Sequence, residues 1–394
     1  MSLRTILAFN PGSSSIKFGV FEVASQGPRA RGTGTLDLGH EPLSLTLTEG
    51  GDSHDISMAS ARTDDLHEAI AETLGVITEH FGVADLAAVG HRVVHGGDQF
   101  TGPVAITEET LAGIEALVPL APLHQPNSLR LIRAVRQLRP TLPQTASFDT
   151  AFHAGQSDLV RRFALPRALF DEGIKRYGFH GLSYAYIAEH LRRTEPALAA
   201  GRVVVAHLGS GASLCGMIAG VSHDTTMGFS TLDGIPMETR PGALDPGVVL
   251  HLIKARRMSV DAVETMLYHE AGLLGVSGLS ADPRDLVTSD EPTAQEALAL
   301  FAFRTAREVA AVATTLGGLD GLVFTGGVGE HQPEIRGAIV RHLGWLGIAM
   351  DANANARNAT RIDAGGHIAV MVLATDEAHV IAAETMATLG LDAG

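Results

Sequence analysis

A duplicated α/β fold in two domains is the architecture this sequence predicts, and three observations predict it. Strand-like and helix-like segments alternate along the chain, the pattern of layered α/β proteins. The N-terminal half opens with a strand, a hydroxyl-rich turn and a second strand, Ile6 to Val20. A run of the same kind, Val203 to Gly216, opens the C-terminal half at an offset of 198, setting Ala206 on Ala8, Ser213 on Ser15 and Leu214 on Ile16. That offset is about half of the 394 residues, so two copies of one α/β unit with a nucleotide between them are expected.

In the first run, Asn10-Pro11-Gly12 punctuates a turn, and the hydroxyls and amides of Ser13, Ser14 and Ser15 can donate to phosphoryl oxygens. Lys17 adds a point charge at the mouth. The G-x-x-x-x-G-K-[ST] of a P-loop is absent and a strand follows, so this is a phosphate-holding hairpin of another kind. Two ordinary glycine-rich hairpins would give the same local pattern.

The remaining elements follow from periodicity and caps. Asp64-Asp65 opens an amphipathic helix running to about Phe81, and Leu86 to Gly97 reads as a strand ending in a Gly-Gly turn. Thr107-Glu108-Glu109 caps a helix that should end near Pro119. Entry into the second half falls between Ser147 and Gly155. A long helix, Thr293 to Leu316, terminates at Gly317-Gly318 and feeds a strand, Gly321 to Thr325, that stops at Gly326-Gly327. The last helix spans about Asp376 to Leu389.

Composition narrows the class. Forty-five per cent apolar and 19% charged residues suit ordinary globular domains with full cores. A net charge of −15 argues against nucleic acid or an anionic membrane as partner, so an anionic substrate needs a few local cations. The single cysteine, Cys215, excludes an intramolecular disulfide and sits in an apolar strand pattern, as a buried thiol would. No stretch approaches the ~20 apolar residues of a membrane helix and no signal peptide is legible, so a cytoplasmic protein is expected.

Several short polar motifs punctuate this frame. In Gly90-His91-Arg92-Val93-Val94-His95-Gly96-Gly97, strand alternation puts His91, Val93 and His95 on one face and Arg92 and Val94 on the other. Two histidines without a third ligand are a weak metal signal. Arg92 beside a Gly-Gly turn can grip a carboxylate or phosphoryl group with both arms of its guanidinium, or it is a plain surface arginine. Rigid Pro- and Gly-flanked loops present His124, Asp149, His180 and Arg240, and Phe324-Thr325-Gly326-Gly327-Val328-Gly329-Glu330-His331 is similar to a nucleotide-cradling loop.

Taken in order, the N-x-G-S-S-S-x-K hairpin, H-R-V-V-H-G-G, A-P-L-H, F-D-T-A-F-H, R-Y-G-F-H-G, the M-G-F…T-R loop, F-T-G-G-V-G-E and T-D-E resemble the acetate kinase family, within the superfamily of sugar kinases, actin and heat-shock ATPases. The resemblance covers nearly the whole chain. It implies a duplicated ribonuclease-H-like (actin-like ATPase) fold with the active site in the cleft between two domains, residues 1–150 plus a C-terminal helix of about 379–394, and residues 151–378 with most nucleotide contacts. It also implies a homodimer.

Residue by residue, the resemblance implies Mg²⁺ at Asn10 and Glu377, with Mn²⁺ as an alternative ion. ATP or ADP would be held by Ser13, Ser15 and Lys17, by His207, Leu208, Gly209, Ser210 and Gly211, by Asp282, Pro283 and Arg284, and by Gly327, Val328, Gly329, Glu330 and His331. Arg92 would hold acetate, and Val94, Leu123 and Phe179 would form the methyl pocket. Asp149 matches the catalytic carboxylate, and His180 with Arg240 match the groups that stabilise the transition state. This chain departs from the usual pattern at Ser210, Thr231, Glu238, His331 and the Leu182-Ser183-Tyr184 stretch.

The reaction so implied is reversible transfer of the ATP γ-phosphoryl group to acetate. A carboxylic acid with a pKa of about 4 to 5 is already ionised at neutral pH, which casts Asp149 in positioning rather than proton removal. Propionate is the alternative acceptor, since one methylene in an apolar pocket discriminates by only ~1–3 kcal/mol. A sugar kinase would need a base and a more polar pocket. From another class, a nucleotide-binding module without catalysis stands against Arg92, Asp149, His180 and Arg240 all being present.

Overall fold

The computed structural model describes residues 4–12, 14–61, 63, 66–83 and 85–391. The chain divides into two compact units, Met1–Ala154 with Asp376–Gly394, and Gly155–Thr375.

The first unit is built on a sheet of β1 (Arg4–Pro11), β2 (Ser15–Ala24), β3 (Gly27–Asp37), β4 (Ser44–Glu49), β5 (Asp52–Ser57), β6 (Asp85–Val93), β7 (Val104–Ala105) and β8 (Gln144–Phe148). Its order is β5-β4-β3-β2-β1-β6-β8-β7. Strand β1 pairs antiparallel with β2 and parallel with β6, which pairs parallel with β8. The apolar run Ile6-Leu7-Ala8-Phe9 is buried because a central strand is covered on both faces. Helices His67–His80 and Gln125–Leu138 close one core through Leu74, Ile77, Leu131 and Val135, packed with Leu7, Phe9 and Val20.

The last helix, Glu377–Leu389, starts at an Asp376 cap that accepts from the His379 amide at 2.9 Å, and it packs on β1, β6 and β8. Its close approach explains Gly90. A Cβ there would stand 2.3 Å from Thr385 Oγ1 and 2.6 Å from Ile381 Cγ2.

The second unit holds β9 (Arg202–Leu208), β10 (Ala212–Ile218), β11 (Val221–Thr225), β12 (Gly321–Thr325) and β13 (Ala369–Val372), in the order β11-β10-β9-β12-β13. Pairing is antiparallel on the β10 side of β9 and parallel on the β12 side. This repeats the run β3-β2-β1-β6-β8, so each unit carries the same five-stranded plan. The Pro292–Leu316 helix lies on β9, β10 and β11 with Ala297, Phe301, Thr305, Val309, Val312 and Leu316 inward, and Gly317 ends it at φ 70°.

Three expectations change in detail. The 198-residue offset fits β1 and β9, but Phe9 pairs with Phe18 whereas His207 pairs with Ser213, so the second hairpin closes three residues sooner. The helix expected from Asp64 begins at His67 after a Leu66 cap, and Asp64 and Asp65 lie outside the described residues. The chain after Thr325 does not run as a loop: Gly326–His331 turns at once into a short helix.

Candidate active site

Asn10, Arg92 and Asp149 stand at the carboxyl ends of adjacent parallel strands β1, β6 and β8, where open α/β sheets bind ligands. Arg92 Nε donates to Asp149 Oδ1 and Oδ2 at 2.9 and 3.1 Å, and Nη2 donates to Oδ2 at 2.5 Å. Nη1 donates to Asn10 Oδ1 at 2.9 Å, and Asn10 Nδ2 donates to Glu377 Oε2 at 2.6 Å. Burial of the guanidinium opposes its charge, but the carboxylates of Asp149 and Glu377 outweigh it and hold Arg92 protonated. These bonds use three of the five N–H groups of an arginine. Among the described residues, nothing takes the other two N–H groups of the Arg92 fork, which suit a further acceptor.

Lys17 is the ladder partner of Asn10, which puts both side chains on one face of the β1–β2 hairpin, and it is exposed. Gly12 N donates to Ser15 O at 2.8 Å and closes the turn; Ser13 lies outside the described residues. Val94 is buried just past the end of β6, and Leu123 is 41% exposed. The two histidines flanking the arginine motif serve the interior: His91 Nε2 bonds Gln144 Oε1 at 2.7 Å, and His95 Nδ1 accepts from the Gly97 amide at 2.9 Å.

Among the described residues, no group of three or more His, Cys, Asp or Glu side chains is placed to hold a metal. A magnesium ion held by one or two oxygen donors plus substrate phosphates needs no such group. Glu377 brings a carboxylate and Asn10 an amide oxygen, donors of that hard chemistry on two side chains joined by the Asn10 Nδ2–Glu377 Oε2 bond, so the residues fit the ion.

In the second unit, His180 caps the Gly181–Thr194 helix in the left-handed region at φ 59°. Its ring stacks on His207, with centroids 4.4 Å apart and planes at 25°. His180 Nδ1 lies 2.9 Å from Ser213 Oγ, and His207 Nδ1 lies 2.9 Å from Ser183 Oγ. Phe179 is buried beside them. Gly211, in the turn after β9, has no room for a side chain: a Cβ would meet Arg240 Nη2 at 2.8 Å and His180 Nε2 at 3.1 Å. The imidazole and the guanidinium therefore converge over bare backbone; earlier in the same turn Leu208 is buried and Ser210 exposed.

Arg240 Nη1 donates to Thr231 O at 3.0 Å. Burial pushes the Arg240 guanidinium down from its ordinary range, against Tyr268 and Glu238, which push it up. Burial, with Asp282 nearby, pushes the Glu238 carboxyl up, against Arg240 and Arg284. Asp282 caps the Pro283–Thr288 helix and takes Arg284 Nη2 at 2.5 Å.

The Gly326–His331 turn starts where β12 ends, with Thr325 paired to His207. Gly326 N donates to Glu330 Oε1 at 3.0 Å, Val328 and Gly329 are buried, Gly327 is exposed, and the His331 side chain is 69% exposed. Behind the turn, Arg336 is fully buried and was not a candidate from sequence. Its nitrogens donate to Gly329 O, Glu330 O, Asn355 Oδ1, Asn355 O and Asn358 Oδ1. Partners so scattered leave no local motif.

Two copies of one sheet plan in two compact units are the architecture of a kinase of the actin-like ATPase fold. The chain belongs to the acetokinase family, whose profile matches residues 5–383. It is 47% identical over 386 residues to an acetate kinase of Rhodopseudomonas palustris, covering 96% of each chain, and 46% identical over 390 residues to an acetate kinase of Rhizobium meliloti, covering 98% and 99%. Among solved structures, a propionate kinase from Francisella tularensis matches with a TM-score of 0.90 at 33% identity over 97% and 99% of the two chains. A Porphyromonas gingivalis acetate kinase matches with a TM-score of 0.87 at 33% identity over 98% and 100%.

Proposed function

We propose that this chain is an acetate kinase that moves the γ-phosphoryl group of ATP onto acetate, reversibly and with Mg²⁺, giving acetyl phosphate and ADP. Its family phosphorylates a carboxylate with ATP. The observation that carries the site-level reading is the Arg92 fork: Asp149 grips one side of a guanidinium whose remaining donors suit an acceptor carboxylate.

An acetate ion needs no base, so the chemistry reduces to bringing two anions together and spreading the charge of the transferring group. Asp149 and Asn10 hold Arg92, and Arg92 holds acetate, with Val94 and Leu123 of the same unit offered to its methyl group. His180 and Arg240 donate to the phosphoryl oxygens over Gly211. Glu377 and Asn10 would hold Mg²⁺, which would supply positive charge at the phosphates. Lys17 and Ser15, the His207–Gly211 turn, Asp282–Arg284 and Gly327–His331 receive the nucleotide. The reading includes a cytoplasmic homodimer; no helix among the described residues is long and apolar enough to cross a membrane.

Propionate is the second reading, favoured by the likeness to the Francisella propionate kinase. A test of the site is ADP release from Mg-ATP with acetate, comparing wild type with Arg240→Ala. Loss of roughly 10²- to 10⁵-fold in kcat is expected from removing one such donor. A near-normal kcat sinks the role given to Arg240.

A further inference from the structure

Behind the His180 ring stand two buried hydroxyls in file. Tyr184 Oη lies 2.5 Å from Ser213 Oγ, which lies 2.9 Å from His180 Nδ1. Tyr184 and Ser213 are both fully buried. Tyr184 follows His180 by one helical turn, its amide bonding His180 O at 3.1 Å, while Ser213 comes from β10. We propose that Tyr184, acting through Ser213, is a positioning residue that fixes His180 as the tautomer with its proton on Nε2. The proposal rests on the reading of His180 as a donor to the transferring phosphoryl group.

The argument is one of proton count. Serine brings one hydrogen and two acceptor sites, so Ser213 donates along only one of its two side-chain bonds. A phenol, with an ordinary pKa near ~10, is a stronger donor than an aliphatic alcohol. A neutral imidazole nitrogen is in turn a stronger acceptor than a phenolic oxygen. The file therefore runs from Tyr184 O–H to Ser213 Oγ, and from Ser213 O–H to the lone pair of Nδ1. With Nδ1 accepting, the single proton of the neutral ring sits on Nε2.

Nε2 is the atom that faces the backbone of Gly211 together with Arg240 Nη2. An Nε2–H there donates to an anion, whereas the other tautomer would turn a lone pair toward it. The stack on His207, itself tied to Ser183, fixes the plane of the ring, and the contact of Nδ1 with Ser213 fixes which edge faces Gly211. A histidine held by a hydrogen bond at its far nitrogen is the arrangement by which proteins select a tautomer.

The experiment is ¹⁵N NMR of the full chain labelled in histidine, with the His180 signals assigned by their loss in His180→Ala, alongside kcat and KM for ATP and acetate. A pyridine-type nitrogen at Nδ1 and a pyrrole-type nitrogen at Nε2 are expected in the wild type. Tyr184→Phe, and independently Ser213→Ala, should shift His180 toward the Nδ1–H form and lower kcat roughly 10- to 100-fold, with each KM changed less than about twofold. An Nδ1–H signal in the wild type overturns the proposal. So does an unmoved tautomer with unmoved kcat in both variants while His180→Ala is inactive, and that result leaves the donor role of His180 standing. A wild-type rate in His180→Ala sinks the donor role itself, and the proposal with it.

Discussion

Arg92 shows how one side chain is aimed before any ligand arrives. A long arginine loses rotamer freedom when fixed, and two bonds to Asp149 with a third to Asn10 impose that loss in the fold rather than in the substrate complex. In the proposed mechanism Asp149 acts through charge and shape, not through a proton. Asp149→Asn keeps the shape and removes the charge, and kcat should fall by about two orders of magnitude with no new ionisation in the pH–rate profile. A shift of the acid limb in that variant would instead make Asp149 a base. Cys215 is the contrary case: burial pushes its thiol up to about 12, so it stays an inert core residue.

Among the elements, the Gly326–His331 turn depends most on a residue outside it. Arg336 directs all five of its donors to neutral oxygens, two of them the carbonyls of Gly329 and Glu330. Arg336→Met keeps much of the volume but leaves those acceptors buried and unpaired, at about 3 kcal/mol or more. Thermal denaturation should show a loss of roughly 6–12 °C, and KM for ATP should rise more than KM for acetate. An unchanged Tm would mean that water replaces the guanidinium. The C-terminal helix is tied down differently, by Thr385 Oγ1 at 2.7 Å from Thr145 Oγ1 over the space that Gly90 leaves.

For the molecule as a whole, two buried histidines of the first unit couple pH to stability. Burial pushes His91 down to about 4, against its bond to Gln144, and pushes His95 down to about 4, against Asp98. Both rings stay neutral in the fold while the unfolded chain takes up protons near ~6.5. Their contribution is present above that value and is lost as pH falls toward 4, on the order of 3 kcal/mol for each ring. Urea unfolding between pH 7 and 4.5 should show that slope, and His91→Gln should flatten it; an unchanged slope would place the titration elsewhere.

The hairpins that open the two units were legible because their signals are local, apolar strand runs and glycine turns, and so was the Thr107 cap of its helix. Less legible were features set by partners distant in sequence. The shorter second hairpin depends on where Ser213 finds its ladder partner, and the helical turn after Thr325 on how Gly326 meets the end of β9. The motif resemblance named Asn10, Arg92, Asp149 and Glu377 together, but periodicity alone could not bring together residues up to 367 positions apart. Arg336 and the Tyr184–Ser213 file carry no spacing that announces them.

The central claim is that the acceptor is a small carboxylate, and trapping the acyl phosphate as its hydroxamate tests it most directly. With Mg-ATP and acetate, propionate, butyrate or no acid in parallel, the account predicts hydroxamate in the acid-containing reactions and the highest kcat/KM with acetate. No hydroxamate above the acid-free control with any of the three would contradict it.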